Sequence, residues 1–118
     1  MSRFLLAIKS SISKKPNTFF LDEIDSGLSG NSLFALVELV KKISKDQQVL
    51  CITHQPFVAA GGYAHFKVHK DVRDGMTYTK ISKLTTKKER KNELIELIGG
   101  GFSEANDYAS RLLERAAA

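Results

Sequence analysis

The 118-residue chain has one cysteine, two prolines and no tryptophan. A single cysteine, Cys51, excludes an internal disulfide, and its place in an apolar segment is typical of a small buried side chain. No apolar run approaches the roughly 20 residues that a membrane-spanning helix needs. The apolar stretch near the N-terminus is interrupted by Lys9, Ser10 and Ser11, which argues against a signal peptide. We therefore expect a cytoplasmic protein that makes no use of a membrane.

Neither sign of charge dominates, because the chain has 18 lysines and arginines and 13 acidic residues, which give a net charge of +5. Hydrophobic residues make up 42% of the chain and charged residues 26%, a balance that argues against disorder. A chain of this length is close to the usual size of one domain. The composition therefore predicts a single ordered unit with its own core.

The segment from Thr18 to Gly30 is the most informative, because an apolar run ends there in two adjacent carboxylates. The run Phe19-Phe20-Leu21 has no polar alternation, which predicts a strand covered on both faces in a parallel α/β sheet. Asp22 and Glu23 follow at its carboxyl end, where open α/β sheets bind ligands. There the first carboxylate suits Mg²⁺ and the second can orient or deprotonate an attacking water. The alternative is a buried strand that runs into an acidic turn.

A second strand-like run, Val49-Leu50-Cys51-Ile52, follows a helical pattern from about Asn31 to Ser44 and precedes His54. A right-handed βαβ crossover would make the two strands parallel and bring Asp22, Glu23 and His54 to one edge of the sheet. Beside the two carboxylates, His54 is interpreted as a sensor of a γ-phosphate. The alternative is an ordinary loop histidine.

These segments resemble the ATP-binding-cassette ATPases, and within them the RecN-like DNA repair ATPases, which are relatives of the SMC and Rad50 proteins. Phe19 to Glu23 resembles the Walker B strand with its catalytic glutamate. Ile24 to Gly30 resembles the RecN form of the D-loop, and Ile52 to Pro56 resembles the switch-histidine segment. Ser2 to Lys9 is similar to the helix after the ABC signature, and Glu93 to Gly100 to the closing helix of the ATPase domain, or head.

The Gly-x-x-x-x-Gly-Lys-Ser/Thr loop that binds phosphates in this family, called Walker A, does not occur in the sequence. A long heptad region is also lacking, and only Ser2 and Arg3 match the tail of the ABC signature. The resemblance therefore implies that residues 1–118 correspond to the C-terminal lobe of the head alone. The expected fold class is α/β, as part of a P-loop NTPase fold with parallel Walker B and switch-histidine strands, flanking helices, an antiparallel hairpin and C-terminal helices.

The resemblance also implies a role for each candidate site residue in ATP-dependent repair and recombination of DNA double-strand breaks. Asp22 would bind Mg²⁺, and Glu23 and His54 would be catalytic. Asp25 and Ser26, in the D-loop, would contact ATP across a head-to-head dimer. ATP and Mg²⁺ would bind only once a Walker A-bearing N-terminal lobe or a full-length head completes the site, so the chain alone is expected to lack ATPase activity. The resemblance allows a location at the nucleoid within the cytoplasm.

The remaining patterns predict short elements around these motifs. The first is a helix that carries Phe4, Leu5, Ile8 and Ile12, and a short helix is expected from Pro56 to Ala60. Two strands follow, from His65 to His69 and from Thr77 to Ser82, with a turn at Asp74-Gly75 between them. A further helix begins with a capping box formed by Thr86 and Glu89 and ends at Gly99 to Gly101, and Ser103 caps a last helix. If the Walker A strand is missing, Val49 to Ile52 should have an open edge.

Half of all lysines and arginines, nine of 18, lie between Lys67 and Lys91. Such a cluster can follow a nucleic-acid backbone, so DNA is a second candidate partner. A solvated surface is the alternative, because interleaved aromatic residues are lacking apart from Tyr78. Two other functions therefore stay open beside the ATPase: a catalytically inactive interaction module derived from a head, and a basic nucleic-acid-binding domain in which the Asp22-Glu23 pair is incidental.

Overall fold

A computed structural model describes residues 18–100 and 103–117. The elements in chain order are β1 (Phe19–Asp22), α1 (Gly30–Ser44), β2 (Val49–Ile52), α2 (Pro56–Ala60), β3 (His65–Arg73), β4 (Met76–Leu84), α3 (Lys87–Ile98) and α4 (Ser103–Ala117). The chain divides after Val58 into two compact units. The helix predicted around Phe4 to Ile12 lies outside the described residues. No described helix is long and apolar enough to cross a membrane.

The first unit is built on β1 and β2, which pair in parallel from Phe19 opposite Val49 to Asp22 opposite Ile52. Leu21 and Ile43 form a small buried core beneath this sheet. Phe19, Val49 and Cys51 pack against it from the strands, and Leu39 and Val40 pack against it from α1. The apolar residues of α1 recur every three or four positions, so one face of the helix can cover one face of the sheet. The predicted parallel β-α-β order is confirmed.

Within residues 18–58 the other face of this sheet is open, so the described part of this unit does not cover β1 on both faces as expected. Phe20 is 64% exposed, Leu50 44% and Ile52 46%. Side chains alternate between the two faces of a strand, and within residues 18–58 the one long helix covers only one of those faces. The absence of polar alternation in Phe19 to Leu21 therefore marks an apolar face that the described part of this unit does not bury.

The predicted open edge is present in the described part of the chain, because β2 pairs there with β1 alone. An unpaired strand edge beside exposed apolar side chains favours association.

We expect the chain to self-associate, which sedimentation velocity would measure. Leu50→Glu should weaken that association by about tenfold or more, because it removes an apolar contact. Ile81→Glu, a matched change at an exposed apolar residue of β4, should leave it unchanged. A wild-type chain that stays monomeric at high micromolar concentration would contradict this prediction.

The second unit contains an antiparallel hairpin, β3 with β4, which pairs from His65 opposite Leu84 to Arg73 opposite Met76. Asp74 and Gly75 form the two-residue turn, with φ angles of 50° and 76°. Positive φ at both positions is typical of a type I′ turn, whose twist matches that of paired strands. The hairpin is confirmed, and its strands are longer than predicted because this turn lets pairing continue up to its own flanking residues.

Two helices complete the second unit. The N–H of Glu89 donates to the Thr86 hydroxyl at 3.1 Å, and the Glu89 carboxylate accepts the N–H of Thr85 at 2.9 Å. The predicted cap of α3 is therefore confirmed, with its return bond one residue before Thr86. Gly99 ends α3 with a φ of 115°, a conformation that favours glycine. Ser103, predicted as the cap of the last helix, is the first residue of α4.

Candidate functional site

The carboxyl ends of β1 and β2 lie side by side and carry the candidate site. Asp22 is opposite Ile52 in the parallel register, and the N–H of Glu23 donates to the Ile52 carbonyl at 2.9 Å. The residues that follow each strand therefore emerge at the same edge. This confirms the prediction that parallel strands bring Asp22, Glu23 and His54 to one edge of the sheet.

Glu23 and His54 approach each other closely at this edge. The distance from Glu23 Oε1 to His54 Nδ1 is 3.6 Å, slightly longer than a hydrogen bond, and the two side chains are 58% and 63% exposed. Exposure leaves both groups accessible to a ligand. A carboxylate and an imidazole this close can both face a ligand on their exposed side, where the carboxylate can accept a proton from a water and the imidazole can donate to a ligand oxygen.

Glu23 has a left-handed backbone, with a φ of 49°. A side chain with a Cβ rarely adopts this region, and such residues are held there only when the surrounding structure fixes them. Here the Ile52 carbonyl accepts the N–H of Glu23, and the Glu23 carbonyl accepts the N–H of Ser26 at 3.1 Å. The backbone bonds on both sides of Glu23 thus hold its carboxylate at the sheet edge.

Asp22 is exposed beside Glu23. The described residues contain no group of three or more metal-binding side chains. A single carboxylate at a strand end still fits Mg²⁺, because this ion usually takes one or two protein carboxylates and completes its shell with water and substrate phosphates. The exposed carboxylate of Asp22 is thus compatible with an ion that takes most of its other oxygens from outside the protein.

Asp25 and Ser26, the two D-loop residues, lie in different environments. Ser26 is exposed. Asp25 is fully buried, and one of its carboxylate oxygens accepts a hydrogen bond from the Thr53 hydroxyl. The Thr53 hydroxyl in turn accepts the N–H of Gln55 at 3.0 Å. The bond between Thr53 and Asp25 was not predicted from the sequence, where the only signal for Thr53 was its place directly before His54.

Cys51 lies in β2, half-buried beside this cluster. Burial, with a smaller contribution from the negative charge of Asp25, raises the pKa of its thiol to about 11. The thiol is therefore protonated at neutral pH and is a poor nucleophile. Cys51 acts as a small core side chain, as its sequence context predicts.

The basic segment from Lys67 to Lys91 is partly neutralised within its own unit. Three of its nine basic side chains have internal partners: Lys67 Nζ lies 2.7 Å from both Glu93 and Glu96, Arg73 Nε lies 2.9 Å from Asp71, and Arg90 donates to the carbonyls of Ala59, Ala60 and Gly62 at 2.9 to 3.4 Å. Hydrogen bonds to Glu93 and Glu96 raise the pKa of Lys67, and burial lowers that of Arg90. The carboxylates beside Lys67 and Arg73 reduce the charge that this surface can offer to a nucleic acid, and the backbone carbonyls hold the Arg90 guanidinium within its own unit.

The chain is similar over nearly its whole length to proteins named DNA repair protein RecN. The protein from Synechocystis sp. is 40% identical over 136 aligned positions, which cover 100% of this chain and 23% of the relative. The one from Bacillus subtilis is 39% identical over 113 positions, covering 94% and 19%. The one from Deinococcus radiodurans is 33% identical over 114 positions, covering 96% and 20%. The chain thus spans about a fifth of the length of these curated relatives. No protein-family profile matches it.

Proposed function

Because this chain belongs to the RecN family and spans about a fifth of its relatives' length, we propose that it forms the Walker B and switch-histidine part of an ATP-hydrolysing head in DNA repair. The observation that carries this proposal is the approach of Glu23 to His54 at 3.6 Å, at the edge where Asp22 also lies. In this proposal the α/β sheet of the first unit belongs to a P-loop NTPase fold.

Each residue of the proposed site has a distinct task. Glu23 accepts a proton from the attacking water and orients it toward the γ-phosphate. His54, beside it, donates to an oxygen of that phosphate. Asp22 would hold Mg²⁺, which would supply positive charge against the phosphates of the nucleotide. The exposure of the Glu23 and His54 side chains leaves room for a nucleotide at this edge.

A second lobe must supply the remaining phosphate contacts, because the sequence has no Walker A loop. Backbone N–H groups and a lysine of that loop provide much of the positioning that phosphoryl transfer needs. The exposed side chains of Phe20, Leu50 and Ile52 and the open edge of β2 support docking of such a lobe on the first unit. Ser26, exposed in the D-loop, is free in this proposal to reach a nucleotide across a head-to-head dimer.

The purified chain alone is expected to hydrolyse ATP no faster than a buffer control. Addition of a Walker A-bearing N-terminal lobe should give magnesium-dependent turnover, because the mixture then holds both halves of the site. Phosphate release by each component and by the mixture measures this, and EDTA in the mixture is the control. Robust turnover by the chain alone, or a stable complex of the two without turnover, would contradict the proposal.

The two other functions have weaker support. An inactive interaction module does not require a carboxylate and a histidine held together at an accessible edge, as Glu23 and His54 are. DNA contact through the basic segment is supported by the names of the relatives, but three of its nine basic side chains already have partners. A protein that acts in DNA repair would be located in the cytoplasm, at the nucleoid.

A further inference from the structure

We propose that Asp25 is a positioning residue, which fixes the loop Thr53 to Gln55 through the Thr53 hydroxyl and thereby holds His54 against Glu23. This inference rests on the proposed function for the meaning of the Glu23–His54 pair. It gives Asp25 a task within its own chain, distinct from the contact with a nucleotide across a dimer that the family resemblance implies.

The Thr53 hydroxyl is the centre of this arrangement, because it acts as donor and acceptor at once. It donates to the buried carboxylate of Asp25 and accepts the N–H of Gln55 at 3.0 Å. A hydroxyl rotates freely unless a partner fixes its proton, so the Asp25 bond leaves a lone pair directed at the Gln55 amide. His54 lies between these two bonded residues, so its backbone is held on both sides.

The other end of the connection leads to Glu23. Asp25 belongs to the turn after β1, in which the N–H of Ser26 donates to the Glu23 carbonyl at 3.1 Å and the N–H of Leu28 donates to the Asp25 carbonyl at 3.0 Å. Glu23 is itself bonded through its N–H to Ile52, the residue before Thr53. The two loops are therefore joined twice, by a backbone bond from Glu23 to Ile52 and by the side-chain bond from Asp25 to Thr53.

Burial decides which contact sets the position of His54. The Glu23 and His54 side chains are both mostly exposed, so water and salt screen their attraction. Asp25 is 0% exposed, and a hydrogen bond between a buried carboxylate and a hydroxyl is much stronger than an exposed pair. The Asp25–Thr53 bond therefore fixes the loop, and the Glu23–His54 distance follows from it.

The second oxygen of Asp25 supports a specific role for this carboxylate. It is buried without a hydrogen-bond partner among the described residues, an arrangement that destabilises the folded chain. An apolar side chain would fill the same space without that penalty. The hydrogen bond that Asp25 accepts from Thr53 thus explains why position 25 has a carboxylate, because an apolar side chain would be sufficient to fill the core.

The first test measures amide hydrogen exchange of Gln55 in the 118-residue chain by NMR, without nucleotide. Thr53→Val and Asp25→Ala should each raise this exchange rate by about tenfold, because the amide loses its fixed acceptor. Thr53→Ser keeps the hydroxyl and should stay near the wild-type rate. Thr18→Val is the matched control, because the Thr18 hydroxyl contacts Gln48 at the other end of the same strands. Unchanged exchange in Thr53→Val would overturn the proposal, even if Asp25→Ala fails to fold.

The second test uses the ATPase of the chain completed by a Walker A lobe. A positioning role predicts that Asp25→Ala lowers kcat by about tenfold and leaves the KM for ATP within twofold, because only the catalytic geometry changes. A direct nucleotide contact would instead raise KM, and that result would overturn the proposal. If the completed head lacks ATPase activity, the proposed function fails, and the exchange rates of Gln55 still decide whether Asp25 fixes the histidine loop.

Discussion

Glu23→Gln in a head completed by a Walker A lobe should lower ATP turnover by at least about 100-fold, because the amide cannot accept the proton of the attacking water. ATP affinity should stay within about twofold, since the amide has nearly the size and shape of the carboxylate and the proposed Mg²⁺ ligand, Asp22, is unchanged. Single-turnover phosphate release measures the chemical step, and equilibrium binding of a fluorescent ATP analogue measures affinity.

Glu38→Gln is the matched control for this change. Glu38 is an exposed glutamate in the middle of α1 in the same unit. Its substitution alters the net charge equally and should leave turnover unchanged. Equal turnover in Glu23→Gln and wild type would remove Glu23 from its assigned role, and Glu23→Gln that loses ATP binding together with turnover would indicate a structural one.

Asp22→Ala should differ from Glu23→Gln by weakening magnesium-dependent ATP binding about tenfold or more, in addition to abolishing turnover. The loss would arise because Asp22 is the residue proposed to supply a protein oxygen to Mg²⁺, which would offset the negative charge of the nucleotide. Binding measured with EDTA in place of Mg²⁺ should be the same for wild type and variant. Asp46→Ala, at an exposed aspartate just after α1, serves as the charge-matched control.

Equal weakening of ATP binding with and without Mg²⁺ would contradict the assignment of Asp22 to the metal. Together, the two substitutions separate the ATPase from the inactive module. If the chain were an inactive module, substitution of Asp22 or Glu23 would not change ATP binding or turnover. If it is part of an ATPase, Glu23→Gln should lower turnover alone and Asp22→Ala should lower both turnover and magnesium-dependent ATP binding. The basic nucleic-acid-binding alternative predicts DNA affinity that falls steeply with salt and does not respond to either change.

Local patterns were sufficient to predict most elements of the fold. The apolar spacing in α1, the Asp74-Gly75 turn and the Thr86 cap act over a few residues each, so their structural effect can be predicted without knowing the rest of the chain. The parallel pairing of β1 with β2 was also predictable, because a helix between two apolar runs favours a crossover connection. The length of the hairpin strands was underestimated, because the pairing reaches the turn through residues such as Lys70 and Asp71, which have little strand preference of their own.

The sequence by itself determined that Asp22, Glu23 and His54 follow the ends of two neighbouring strands, because parallel pairing brings strand ends to a common edge. Only the tertiary structure decided that Asp25 is buried against Thr53, that Glu23 has a left-handed backbone and that Phe20 and Leu50 face outward. Burial and a side-chain bond between residues 25 and 53 depend on how distant segments pack, and the spacing of residues along the sequence does not specify that packing.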